Sequence, residues 1–211
     1  MTAINVSAFE RILGKMDGAM EFSAFFNDAA SQEHARLKAK GSGNNQVCTW
    51  LRGSTIGQGA AGIVAKQVNY DPTRAADGGL TIAVQMIGAL YGLDHCAQLT
   101  AGLRTDTAAT NGASLDNAVA TTKGLSAYLH VTAFSGTDVT MRVQESSDDA
   151  VGDPFANVTG GAFTQVTGIT AERIVTSLTL AVERYLRVVT VTTGGVTSVT
   201  FSVVVCRFPV A

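Results

Sequence analysis

The chain has 211 residues and a formal net charge of −2, with 46% hydrophobic and only 15% charged residues. Ordinary globular domains are about a quarter charged, so either a neutral Thr/Ser-rich exterior or a neighbouring subunit must cover much of this surface. The balance excludes the strongly basic face of a sequence-specific DNA binder, and no run of Lys or Arg marks a membrane-surface segment.

Met1 to Glu10 shows no charged segment leading into an apolar run, so no secretory leader is expected. The longest apolar run, Val203 to Cys206, is too short to cross a bilayer. A soluble product made inside the cell is expected. Met20, Phe22, Ala24 and Phe26 alternate with Glu21, Ser23 and Phe25, the periodicity of a strand with one strongly apolar face. Asn27-Asp28 ends it, and Ala29 to Lys40 reads as one short helix with Glu33 early, Arg36, Lys38 and Lys40 late, and Gly41 beyond. Val47 to Arg52, Ile63 to Tyr70 and Leu80 to Ile87 are further strand candidates, punctuated by Gly-rich turns and Asp71-Pro72. Thr105 to Thr122 is small and polar and reads as a connection or linker.

Beyond it the alternation is cleaner. Leu125, Ala127, Leu129, Val131 and Ala133 face away from Ser126, Tyr128, His130 and Thr132. After the turn Ser135-Gly136-Thr137-Asp138, Val139, Met141 and Val143 alternate with polar residues. This predicts a hairpin with one dry and one wet face. Glu145 to Pro154 is an acidic loop. Alternation resumes at Ile174, Thr176, Leu178 and Leu180, and Tyr185 to Val191 with Val199 to Cys206 predicts a second hairpin around Gly194-Gly195. The fold class expected is mainly β: an antiparallel β-sandwich or partial barrel with one short helix, followed by a C-terminal β-sandwich module. The boundary expected is 1–122 and 123–211, or else one domain throughout. On this pattern Phe22→Asp should destroy the fold and Thr140→Asp should be tolerated.

Chemistry-bearing constellations are sparse. Gly57-Gln58-Gly59-Ala60-Ala61-Gly62 spells the dinucleotide fingerprint, with Asp77 downstream. That fingerprint works only where the last Gly opens a helix facing the pyrophosphate, and Asp71-Pro72 follows too soon for one. A Gly-rich loop between strands is the expectation. His34, His95 and His130 are dispersed, and His95 and Cys96 would face opposite ways on a strand, which disfavours a shared metal. Cys48, Cys96 and Cys206, odd in number and widely spaced, read as reduced thiols. Asp148, Asp149 and Asp153 lack the ligand spacing of a Ca²⁺ loop and read as a solvated turn. No G-x-S-x-G turn presents a nucleophile. Trp50 and Tyr70 read as core or interface anchors. No catalytic, cofactor-binding or metal residue is assigned, and no enzyme activity is expected.

The stretch Asp17-Gly18-Ala19-Met20-Glu21-Phe22-Ser23-Ala24-Phe25-Phe26-Asn27-Asp28, then the short helix and Leu37, resembles the strand-to-helix opening of siphophage major tail tube proteins. Tyr70-Asp71-Pro72-Thr73-Arg74, Ala76 to Thr81 and Leu99 to Asp106 are similar to the central part of that family. Ala127 to Val131, Ser135-Gly136-Thr137 and Arg184 to Val188 are similar to the sandwich modules many members carry. The resemblance implies a virion (tail) protein made in the host cytoplasm, with no catalytic residues. Six copies would join sheets edge to edge into a ring, and rings would stack into a hollow tube for DNA. It implies tape-measure, terminator and baseplate partners, DNA passing without specific binding, and no membrane. Closure of this kind would pair exposed strand edges, and a weakly charged bore would not hold DNA by counterion release. The first half would build the wall, with the loop Gly53 to Gly62 and the arm Met1 to Ser7 ordering between rings. Competing readings are a capsid decoration or other virion surface β-sandwich protein, a carbohydrate-binding module or adhesin, and an unrecognised enzyme.

Overall fold

The computed structural model describes residues 17–29, 33–38, 44–89 and 91–208. Its elements are β1 (Ala19–Phe25), α1 (Glu33–Lys38), β2 (Gln46–Leu51), β3 (Gly59–Arg74), β4 (Leu80–Gly88), β5 (Asp94–Gln98), β6 (Arg104–Asp106), β7 (Leu115–Asp116), β8 (Leu125–Gly136), β9 (Thr140–Ser146), β10 (Ala156–Ala162), β11 (Thr170–Val175), β12 (Tyr185–Val191) and β13 (Val196–Arg207). The protein is mainly β with antiparallel sheets, and no closed barrel forms among the described residues. The expected arm Met1 to Ser7 and residues 30–32 and 39–40 of the expected helix lie outside the described residues.

Contacts divide the chain into two compact units that interleave in sequence: 1–45 with 65–93, and 46–64 with 94–211. The chain therefore remains inside the second unit where its texture changes near residue 122.

In the first unit, β4 is the middle of a three-stranded sheet, paired with β1 (Phe22 opposite Val84) and with residues 65–74 of β3 (Tyr70 opposite Val84). Ile82, Val84 and Met86 of β4 are buried. Asn27 organises the approach to α1: its side chain accepts from the Ala29 N–H, its carbonyl from the His34 N–H. His34 on α1 hydrogen-bonds the Tyr70 hydroxyl through Nδ1 and stacks at a tilt, 4.6 Å from Phe26. A strand was expected to stop at Asp71-Pro72, yet β3 runs through it. The reason is geometric. Asp71 faces β4, as does Ala75, whose N–H bonds the Gly79 carbonyl. By alternation Pro72 therefore turns its missing N–H away from β4 and breaks no ladder bond.

The second unit is a sandwich. One sheet has the order β5-β13-β8-β11, with β6 also on β13 and with β2 and the first part of β3 beyond β5; the other is β10-β9-β12-β7. Leu125, Leu129, Phe201 and Val203 of the first sheet meet Met141, Val143, Leu186 and Val188 of the second in one core. Both expected hairpins are corrected here. β8 pairs with β13 and β11, whereas β9 pairs with β10 and β12. Each predicted turn is thus a corner that carries the chain from one sheet to the other. Alternation fixes which face is dry but not which strand lies alongside. Asp138 joins the two corners: its carboxylate accepts from the N–H groups of Thr193 and Gly194 and from the hydroxyls of Thr192 and Thr193. Gly136 (φ 142) and Gly195 (φ 97) take conformations there that other residues avoid.

The expected linker 105–122 is structural. Asp106, 4% exposed, holds Arg104 bidentately at 2.7 and 2.6 Å and accepts from the Thr190 hydroxyl at 2.8 Å. Its polar composition reflects bonding to β12 and β13 rather than freedom from structure.

Candidate functional site

Among the described residues of the first unit, the outer edge of β1 has no strand partner. Phe26 donates its N–H to the Leu80 carbonyl, and Gly18 accepts from the Gly88 N–H. Both positions are hydrogen-bonded pairs in the β1–β4 ladder, so Met20, Phe22 and Ala24 also turn their backbone polar groups toward β4. Ala19, Glu21, Ser23 and Phe25 turn theirs outward, where no described strand pairs with them. This row of donors and acceptors is what another strand would need. Natural edges are commonly blunted by Pro or charge, and the outer edge of β3 carries Pro72 in the blunting orientation. β1 carries no Pro. Its one charged residue, Glu21, is hydrogen-bonded by Gln85, and it exposes Phe22 (45%) and Phe25 (83%).

Beside that edge, Glu21, Ser23, Asn69, Ala83 and Gln85 line an open groove of about 420 Å³. The Gln85 amide donates to the Glu21 carboxylate at 2.5 Å. The groove is shallow, and Phe22 and Val84 also line it, so polar and apolar groups share its surface.

The second unit holds a polar network on the outer face of its larger sheet. Asp94 Oδ2 accepts from Ser126 (2.8 Å), Tyr128 (2.6 Å) and Arg173 Nη2 (3.1 Å), and Arg173 Nε donates to the Tyr128 hydroxyl at 3.0 Å. Burial, then the hydrogen bond to Asp94, holds the Tyr128 phenol well above its ordinary range, so it stays a protonated donor. Gly62 passes so close that any Cβ there would strike the Tyr128 ring at 2.5 Å. Asp94 Oδ2 and the Ser126 and Tyr128 hydroxyls are thus bonded within the network, and Gly62 lies against the Tyr128 ring.

The residues singled out in the sequence do not converge. Gly59 to Gly62 are in β3, paired with Ala97 to Asp94, and Gly57 (φ 84) makes the tight turn before them. A strand follows instead of a helix, which removes the dinucleotide reading. His95 is exposed while Cys96 is buried, opposite faces of β5 as the alternation requires. His130, expected to face outward, is half-buried, and burial draws its ring below the ordinary imidazole range. Asp148 accepts the N–H groups of Val151, Gly152 and Asp153, and Asp153 accepts that of Ser147. The acidic loop is thereby a built turn with the Asp148 and Asp153 carboxylates bonded by backbone N–H groups, and no group of His, Cys, Asp or Glu among the described residues is arranged to hold a metal ion. Trp50, expected as an anchor, is 57% exposed. Among the described residues no helix is long and apolar enough to cross a membrane.

The Asp94 network and the Asp138 brace were not anticipated. Their partners are up to 79 residues apart in sequence, so no local pattern announces them.

No family model matches the sequence, and no curated protein matches it significantly. A solved structure that aligns is the Dit protein of phage SPP1, described as a paradigm of the hub adsorption apparatus in phages infecting Gram-positive bacteria. The alignment covers 99% of this chain and 86% of that one at 11% identity, with a TM-score of 0.26. At that score the likeness carries no argument about fold or function.

Proposed function

We propose that the protein is a phage virion structural subunit that assembles with copies of itself by extending the sheet of its first unit, and that the product is a tail tube. The open edge of β1 carries the reading. It combines outward-facing backbone groups at Ala19, Glu21, Ser23 and Phe25 with exposed Phe22 and Phe25, and a strand from another copy would satisfy both. The tube itself is supported by the resemblance of the segments beginning at Asp17, Tyr70 and Leu99 to tail tube proteins. β1 meeting a non-equivalent edge of the next copy would close a ring, whereas β1 meeting β1 would stop at a two-fold dimer.

Negative-stain electron microscopy of the purified chain tests it. Hollow tubes or stacked rings are the expected result. Uniform monomers or trimers at high concentration would favour a capping surface protein instead. Ser23→Pro sharpens the test, because the Ser23 N–H points away from β4: the variant should keep its fold by circular dichroism and lose assembly. Tubes formed by Ser23→Pro as readily as by the parent would remove β1 from the interface.

A further inference from the structure

Cys96 and Cys206 lie on neighbouring antiparallel strands whose register pairs Gln98 with Val204 and Ala97 with Val205. One further step sets Cys96 opposite Cys206, and directly opposed residues on such a pair share a face. The Cys96 thiol donates to the Asp94 carbonyl at 3.5 Å, and both thiols lie among Ala60, Val64, Tyr128 and Val204 on that face. Directly opposed Cα atoms of an antiparallel pair are about 4.5 or 5.5 Å apart, both inside the span a disulfide bridges. Cys96 is buried and Cys206 half-buried.

We propose that Cys96 and Cys206 are an oxidative cross-linking site, closed by a low-molecular-weight disulfide such as oxidised glutathione, which ties the central strand β13 to β5. This stands independently of the assembly reading. The two cysteines have unequal parts. The neighbouring Cys96 thiol draws the Cys206 thiol below its ordinary range, while Cys206 and burial hold Cys96 above it. Cys206, the accessible partner, attacks one sulfur of oxidised glutathione as thiolate, giving a mixed disulfide and one glutathione thiolate. That thiolate takes the Cys96 proton. Cys96 then attacks the Cys206 sulfur and expels the second glutathione thiolate, which takes from solvent the proton Cys206 released. Two protein thiols are oxidised to one disulfide and one glutathione disulfide is reduced to two thiols. A metal would need further ligands, but Asp94, on the same face, is already bonded by Ser126, Tyr128 and Arg173.

The test uses the full chain incubated with oxidised glutathione, alkylated, and digested without reduction. Titratable thiols should fall from three to one, that one being Cys48. The intact mass should drop by about 2 Da, the two hydrogens lost in disulfide formation. The peptides holding Cys96 and Cys206 should run as one species until dithiothreitol separates them. Cys48→Ser should cross-link like the parent, and Cys206→Ser should not. Persistence of three thiols, a bond that includes Cys48, a bond between two chains, or glutathione adducts that never resolve would each overturn the proposal. If Cys206→Ser fails to fold, the peptide map of the parent and of Cys48→Ser decides alone.

Discussion

Phe22 and Tyr128 both sit on alternating strands, yet Tyr128 is fully buried and Phe22 is 45% exposed. Tyr128 belongs to β8, whose inner face meets the sandwich core and whose outer face is closed by the Asp94 network and by Val47 and Leu51 of β2. Phe22 belongs to a strand that, among the described residues, has a partner on one side only. The difference teaches that alternation in sequence reports the potential for a buried face, while burial itself depends on what another element lays over it. In the second unit two sheets cover each other's inner faces. In the first, among the described residues, the outer edge of β1 and its exposed rings are left uncovered.

The largest effect that probes this contrast is core truncation. Phe201→Ala should cost about 3–5 kcal/mol in urea unfolding, since it empties a fully enclosed site. Phe22→Ala should cost under about 1 kcal/mol in dispersed protein, because a half-exposed ring leaves little cavity. Equal losses would erase the distinction between the units. By the same reasoning Phe22→Asp, expected from sequence alone to destroy the fold, should leave the dispersed chain folded. Next is the buried network. Asp94→Ala removes the acceptor of the Tyr128 hydroxyl proton and of Arg173 Nη2, and about 2–4 kcal/mol should be lost. Tyr128→Phe added to it should cost less than the two single changes summed, measured as a double-mutant cycle.

A smaller effect should follow pH. The Thr193 and Gly194 N–H groups hold Asp138 below the ordinary carboxylate range. Its folded state therefore binds a proton less readily than its unfolded state. The stability it gives is complete above the unfolded value, about pH 4, and fades as pH falls further through the folded one. Thermal melts of Asp138→Asn should lack that part of the acid dependence; an unchanged profile would mean the corners are not joined electrostatically. Smallest is Thr140→Asp, on the half-exposed face of β9, which should shift stability by no more than about 0.5 kcal/mol.

Much of the architecture was legible. The β class, the alternation of β1, β8 and β9, strands at β4, β12 and β13, and a short helix holding His34 all follow from the sequence. Pairing was not legible. Nothing in 125–143 says that β8 and β9 part at Gly136 into different sheets, because a turn and a corner use the same residues. Pro72 misled for a related reason: its effect depends on which way a missing N–H points, and that is set by the partner strand. Of the candidate site, the apolar residues of β1 were visible as a pattern, but their exposure and the outward direction of the Ser23 N–H required the β1–β4 register.

Residue-resolved amide hydrogen exchange on β1, in dispersed and in concentrated protein, addresses the open edge most directly. Met20, Phe22, Ala24 and Phe26 should be protected in both states, whereas Ala19, Glu21, Ser23 and Phe25 should become protected only when copies associate. Protection of the outward set in dispersed protein, or no change in it upon association, would contradict the account.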